Sequence, residues 1–132
     1  MQKKRPVDPD IASWENLHVW QKAHQLVLRI YAITRQFPAY ERFRLSDQLC
    51  RAAISVPTNI AEGKGRFALG DYLRFLCIAR GSIEEVRYLL LLARDVGYLD
   101  GRDYTALTQQ CVEIGKMLNQ LIYALRQHLP KP

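Results

Sequence analysis

SVPTNIAEGKGR, Ser55 to Arg66, is the stretch whose reading decides the fold. Its first half continues a helical run of small and apolar residues. Pro57 stands inside that run, where it removes the hydrogen bond to the Ala53 carbonyl and crowds that carbonyl, so a kinked helix is expected. Asn59 and Glu62 lie three apart and share a face, placed to satisfy groups loosened by the kink. Gly63-Lys64-Gly65 lacks the preceding strand, the upstream glycine and the hydroxyl residue after lysine that a phosphate-binding loop requires. The two glycines read instead as the end of a helix and a turn into the next one. Glu62 has no second acid, histidine or nucleophile close in sequence, which makes a poor catalytic set.

Outward from this stretch the apolar spacing is helical nearly throughout. A first segment, about Leu17 to Gln36, carries Trp20, Ala23, Val27, Ile30, Thr34 and Phe37 on one face, with Asn16 as N-cap and Pro38 as stop. A second, about Leu45 to Glu62, carries Leu45, Leu49, Ala53, Val56 and Ile60, with Ser46 and Asp47 serving its start. A third, about Leu69 to Val96, has a heptad-like stripe of Tyr72, Leu76, Ala79, Ile83, Val86, Leu90 and Ala93, with Gly97 as stop. Leu89 and Leu92 widen that apolar face, which hints at self-association unless they complete the core. A fourth, about Arg102 to Leu129, carries Leu107, Cys111, Ile114, Leu118, Leu121 and Leu125, with Asp100 as cap. Four helices with short connections predict an all-α, antiparallel up-down four-helix bundle, its second helix kinked at Pro57.

At 132 residues and 48% hydrophobic, the chain suits one folded domain, placed at residues 14–129. The start, MQKKRPVDPD, is basic but is followed by no signal-peptide apolar segment, so residues 1–13 are expected to form a flexible basic tail; residues 130–132 form a short C-terminal one. No run of about 18 uncharged apolar residues exists, so no membrane span is expected. Cys50, Cys77 and Cys111 are odd in number and form no CxxC pair. They read as small hydrophobes in a reducing compartment, which favours the cytoplasm. His18, His24 and His128 show no metal-ligand spacing. No metal or cofactor is expected.

The net charge of +6 permits a polyanion partner. Arg80, Arg87 and Arg94 recur every seven residues and form one stripe, with Glu84 close enough to pair with the first two. That stripe is either a solvated, ion-paired face or a strip for nucleic-acid phosphates. Arg51, Lys64, Arg66 and Arg74 could join it if the fold gathers them. No homeodomain, zinc-finger or RRM signature is present, so base-specific readout is not indicated. Trp14 stands before the first helix and is open to stacking on bases. Trp20 and Tyr31 read as core or as a subunit contact.

Taken together, LHVWQKAHQL (Leu17–Leu26), QLCRAAISVPTNIAEGKGR (Gln48–Arg66), YLRFLCIARGSIEEVRYLLLLARDVGYL (Tyr72–Leu99) and EIGKMLNQLIYALR (Glu113–Arg126) resemble one bacterial family. Its members are four-helix-bundle proteins named after reading frames in intervening sequences of 23S ribosomal RNA genes. The resemblance spans about residues 14 to 126, and SVPTNIAEGKGR is close to the family hallmark SxPxNIAEGxGR. It implies an up-down bundle that assembles into ring-like homopentamers. A related branch, the accessory protein of diversity-generating retroelements, implies association with nucleic acid and with a reverse transcriptase if one is encoded nearby. By motif, the resemblance carries over Pro57, Asn59, Ile60, Glu62, Gly63, Gly65 and Arg66, together with Gly81, Ser82 and Glu85. Ala68 stands where the family often has a capping serine or threonine, a loss of about 1 kcal/mol that Asp71 partly offsets through the helix dipole. Gly81 costs about 1 kcal/mol inside a helix, which is tolerable where another backbone packs closely. Ala52, Ala53 and Ser55 are the expected partners, so Gly81→Leu is expected to break the bundle. The resulting expectation is a non-enzymatic homo-oligomer that binds RNA or DNA backbone through a basic surface. The alternative is a structural or protein-interaction oligomer.

Overall fold

The four apolar stripes become four helices: α1 (His18–Thr34), α2 (Leu45–Lys64), α3 (Leu69–Asp95) and α4 (Gly101–Arg126). The structure, a computed structural model, describes residues 13–131, and no strand occurs among them. Residues 1–12 of the expected N-terminal tail, and Pro132, lie outside the described residues. Ser13 departs from the expected tail. Its hydroxyl accepts a hydrogen bond from the Glu15 amide and caps a short 3-10 turn, Trp14–Asn16. Each helix packs on two others, α1 on α2, α2 on α3, α3 on α4 and α4 on α1, and the α2–α3 contact is the most extensive.

The core follows the sequence stripes closely where they are aliphatic. Leu49, Ala53, Val56 and Ile60 of α2 and Leu76, Ala79, Ile83, Val86 and Leu90 of α3 are wholly buried. Each buried aliphatic side chain of this size contributes about 1.5–3 kcal/mol relative to exposure. Leu89 is also buried and Leu92 packs against the core, so the wide apolar face of α3 is used within the chain. Val19, Leu26 and Ile122, outside the expected stripes, join the core. Trp20 is only half-buried, and Tyr31, expected in the core or at a subunit contact, faces solvent in this chain.

The helix ends differ from expectation in several places. Leu17 replaces Asn16 as the N-cap of α1, because Asn16 is taken up by the preceding 3-10 turn. Arg44 precedes α2, and no side chain caps that helix. Asp47 pairs instead with Arg51 one turn on, at 3.2 Å. Ala68 leaves α3 without a side-chain cap, as the sequence implied. Asp100 caps α4 by accepting the Asp103 amide at 2.7 Å. Gly97 has φ +88°, and the Tyr98 amide reaches back to the Ala93 carbonyl at 2.9 Å while the Gly97 amide reaches Arg94. This is the six-to-one closure that a left-handed glycine permits.

Two glycines do not play the roles expected of them. Gly63 lies inside α2 and is buried; a Cβ there would sit 2.9 Å from the Cβ of Phe75 and 2.9 Å from the ring of Tyr72. It is a contact glycine, and only Gly65 caps the helix, with an ordinary φ of −79°. Gly81 is exposed, and a Cβ there would meet nothing within 4 Å. The close contact expected of it is made by the next residue: Ser82 Oγ lies 2.8 Å from Ser55 Oγ, across the α2–α3 seam.

Gly63→Ala is expected to destabilise the chain by about 1–3 kcal/mol, since the new methyl group meets a packed Cβ and has nowhere to go. Gly81→Ala is expected to be neutral or to stabilise by up to about 1 kcal/mol through helix propensity alone. Urea titration of both variants measures the contrast.

Candidate nucleic-acid interface

The hallmark segment divides into residues that build α2 and residues that face outward. Pro57 and Ile60 are buried, and α2 runs unbroken through Pro57. The Asn59 side-chain amide donates to the Ser55 carbonyl at 2.7 Å and to Ser55 Oγ at 2.9 Å. Ser82 Oγ donates to the Ile78 carbonyl at 3.1 Å, so the proton between the two serines is supplied by Ser55. Asn59, Ser55 and Ser82 thus form one directed chain of donors across the seam. Glu62, Arg66 and Glu85 are exposed. Of the two residues placed to satisfy groups near Pro57, Asn59 does so and Glu62 has no side-chain hydrogen bond or ion pair among the described residues.

The seven basic candidates fall into two sets with different surroundings. Arg80, Arg87 and Arg94 form the α3 stripe, and each has a carboxylate partner. Arg80 donates to Glu84 at 2.7 Å and, across the helix interface, to Asn119 of α4 at 2.9 Å. Its guanidinium lies over Gly115, where a Cβ would come within 3.4 Å of Cζ. Arg87 reaches Glu84 at 3.3 Å. Arg94 pairs with Asp95 at 3.0 Å and stacks over the Tyr104 ring at 4.4 Å. The Arg80 hydrogen bond, with the charges of Arg87 and Arg80 beside it, holds the Glu84 carboxyl below its ordinary range and outweighs the opposing effect of desolvation. The stripe is therefore an ion-paired seam against α4. Arg51 has its partner too, in Asp47.

Lys64, Arg66 and Arg74 are brought together at the α2–α3 turn. Arg66 and Arg74 both lie over the ring of Phe75, at 4.9 and 4.7 Å. Lys64 lies 6.0 Å from the centroid of Tyr72, one turn before Phe75. No carboxylate comes within ion-pair distance of the three among the described residues, and their braces are aromatic faces worth about 0.5–1 kcal/mol each when exposed. Phe67 stands fully exposed between Arg66 and the start of α3. The arrangement can hold polyanion phosphates beside a ring free to stack.

Two clefts sit at opposite ends of α2. One, of about 390 Å³, is lined by Arg35, Arg42, Ser46 and Cys50 over Phe37 and Pro38, among others. The other, of about 320 Å³, sets Trp14, Trp20 and His24 against Pro57, Ala61 and Glu62. Sequence reasoning missed both. Arg35, Arg42 and His24 stand off the apolar stripes, and only tertiary packing assembles them. Cys111 is buried, and burial pushes its thiol up to about 12, which keeps it protonated and inert. No group of metal-ligating side chains occurs among the described residues, and none of the helices is long and apolar enough to cross a membrane.

Fold and site define an all-helical, four-helix protein with a basic end braced by aromatic rings. The chain belongs to the 23S rRNA-intervening sequence protein family, whose profile matches residues 15–120. It is similar to a crystal structure from Bacteroides thetaiotaomicron, described as a protein of unknown function from the S23 ribosomal protein family. The likeness has a TM-score of 0.74 and 26% identity, and covers 79% of this chain and 97% of that one. Among curated proteins, none matches.

Glu84→Gln is expected to lower stability by about 0.5 kcal/mol at pH 7, the scale of a half-exposed ion pair. Because the folded-state pKa of Glu84 is depressed, its contribution is present above the ordinary value of 4.5 and is lost as pH falls below it. The stability difference between variant and parent should therefore close in acid, as urea titrations at pH 7 and near pH 3 would show.

Proposed function

We propose that this chain is a non-enzymatic, homo-oligomeric helical module that binds RNA or DNA backbone in the cytoplasm, with Lys64, Arg66 and Arg74 as its phosphate contacts. The observation that carries the reading is the shared Phe75 ring: two guanidiniums converge on it, and neither forms an ion pair with a carboxylate among the described residues. Converging like charges are eased by an anion, and a phosphate chain supplies several at once. Arg51, Arg80, Arg87 and Arg94 become supporting residues, since their charges are spent on acidic neighbours. The non-enzymatic reading is supported by the second cleft. His24, Thr58 and Glu62 line it, yet no hydrogen bond couples any two of them among the described residues.

The proposed architecture is an antiparallel up-down bundle with α2 bent at Pro57. Contacts that move in opposite directions along neighbouring helices support the antiparallel part. Ser55 meets Ser82 while Gly63 meets Phe75, and Arg80 meets Asn119 while Arg94 meets Tyr104. Self-association, with a pentamer favoured by the family resemblance, is supported by Gly81. It is an exposed helical glycine one turn after Ile78, itself 43% exposed. A glycine that no part of its own chain approaches leaves room for another chain. A reverse transcriptase encoded nearby is the protein partner that the resemblance proposes.

Fluorescence anisotropy with single-stranded RNA and DNA oligonucleotides tests the binding. Affinity should fall with salt at a log–log slope of about −0.7 per phosphate contacted. Replacing Lys64, Arg66 and Arg74 together by alanine should weaken binding at least tenfold and flatten that slope by about two. Arg87→Ala should change little. No binding at low salt defeats the reading in favour of a structural oligomer. Mass measurement in solution gives the oligomeric state, and Gly81→Leu should reduce the mass towards that of the monomer without lowering monomer stability.

A further inference from the structure

Glu62 is the one hallmark carboxylate, and nothing in the bundle employs it. It is exposed, and no ion pair or side-chain hydrogen bond involves it among the described residues. Its position is far from featureless. Pro57 and Ala61 stand one turn apart on α2, as do Thr58 and Glu62, so the four present one face. Trp20 and His24 stand one turn apart on α1 and face them across the cleft. The imidazole of His24 stacks on Trp20 with an interplanar angle of 8° and centroids 5.1 Å apart. Trp14, held by the capped 3-10 turn, meets Trp20 at 4.7 Å and a 53° tilt, so the two indoles form a corner.

Two indole faces, a flat floor made by a proline and an alanine, and a single carboxylate make a site of defined chemistry. Indole is the strongest aromatic partner for a cation. A planar guanidinium can lie flat on one ring face and direct its forked N–H groups at a carboxylate at the same time, whereas a compact ammonium offers neither the flat stack nor the two-pronged pair. Among the described residues Glu62 is the only formally charged side chain lining the cleft. We infer that this cleft receives an arginine side chain presented by a partner polypeptide, stacked in the Trp14–Trp20 corner and paired with Glu62. The inference does not depend on the nucleic-acid reading, because none of Lys64, Arg66 and Arg74 lines the cleft.

Trp14 and Trp20 are the only two tryptophans in the chain, so tryptophan emission, excited selectively over the seven tyrosines, reports this cleft. The full chain is titrated with a short peptide bearing one central arginine, and with the same peptide bearing lysine or the neutral isostere citrulline. The expected result is a saturable change in tryptophan emission with the arginine peptide in the millimolar range, at roughly 1–10 mM. Binding should be at least fivefold weaker for citrulline and intermediate for lysine. Glu62→Gln, at an exposed position, should keep the helical circular dichroism and lose the preference for arginine over citrulline. Equal responses to arginine and citrulline, a preference that survives Glu62→Gln, or no saturation with the arginine peptide overturns the proposal. Emission that shifts on dilution of the protein alone, without an arginine response, also overturns it and assigns the cleft to a second copy of the chain.

Discussion

The approach of α2 to α3 at Gly63 is the constraint on which this end of the molecule depends. The missing side chain lets α2 come down onto Tyr72 and Phe75, leaving room for no added methyl. That approach holds Phe75 buried on one side while its ring remains within reach of Arg66 and Arg74. It also sets Tyr72 under Lys64. One helix face is therefore used for packing, and its neighbours along α2 are delivered to the surface in fixed positions. Because helical residues four apart share a face, the same segment presents Pro57, Thr58, Ala61 and Glu62 to α1 and Trp14. A single helical stretch supplies a packing contact, a basic cluster and an aromatic cleft.

What distinguishes these arginines is whether the fold pairs them with an acid: Arg51, Arg80, Arg87 and Arg94 are paired, and among the described residues Arg66 and Arg74 are not. Glu84 lies four after Arg80 and three before Arg87, and it occupies both. Its lowered carboxyl pKa is the electrostatic record of that occupation. Arg80 gains a further partner in Asn119 and a floor in Gly115, so it works as a strut between α3 and α4. Arg66 and Arg74 have only a π face. A quadrupole attracts a cation without neutralising it, so their charge stays available to an incoming anion. Count and periodicity favour the α3 stripe as a phosphate site; local neutralisation favours the turn.

The elements that were legible in the sequence are those in which burial alone sets the pattern. The aliphatic stripes of α2, α3 and α4 predicted the core because a helix has one side to hide. Asp100 and Gly97 were legible because capping chemistry is local. Asn16, Gly63 and Gly81 were misread, and Leu89 was left between two readings, for a common reason: each depends on what a distant segment does. A 3-10 turn took Asn16 from α1, and α3 used all of Leu89 within the bundle. Gly63 and Gly81 are both helical glycines, and no local rule tells which one meets a neighbour. The aromatic cleft is non-local throughout. Trp14, Trp20 and His24 precede Pro57 and Glu62 by more than thirty residues.

This division bears on what the hallmark segment means. If it served only folding, each of its polar residues should have a partner inside the bundle. Asn59 does: with Ser55 and Ser82 it forms a donor chain that satisfies polar groups at a close helix contact. Pro57 departs from that pattern, because a helix-interior proline costs a hydrogen bond and roughly 3 kcal/mol in an ordinary helix. Its position becomes intelligible when its ring is counted as cleft floor, a flat apolar surface that also lacks an N–H to expose. Glu62, one turn beyond Thr58, completes the same face and has no internal partner. Pro57 and Glu62, costly or idle for folding, meet in the cleft, while Lys64 and Arg66 of the same segment lie at the aromatic turn.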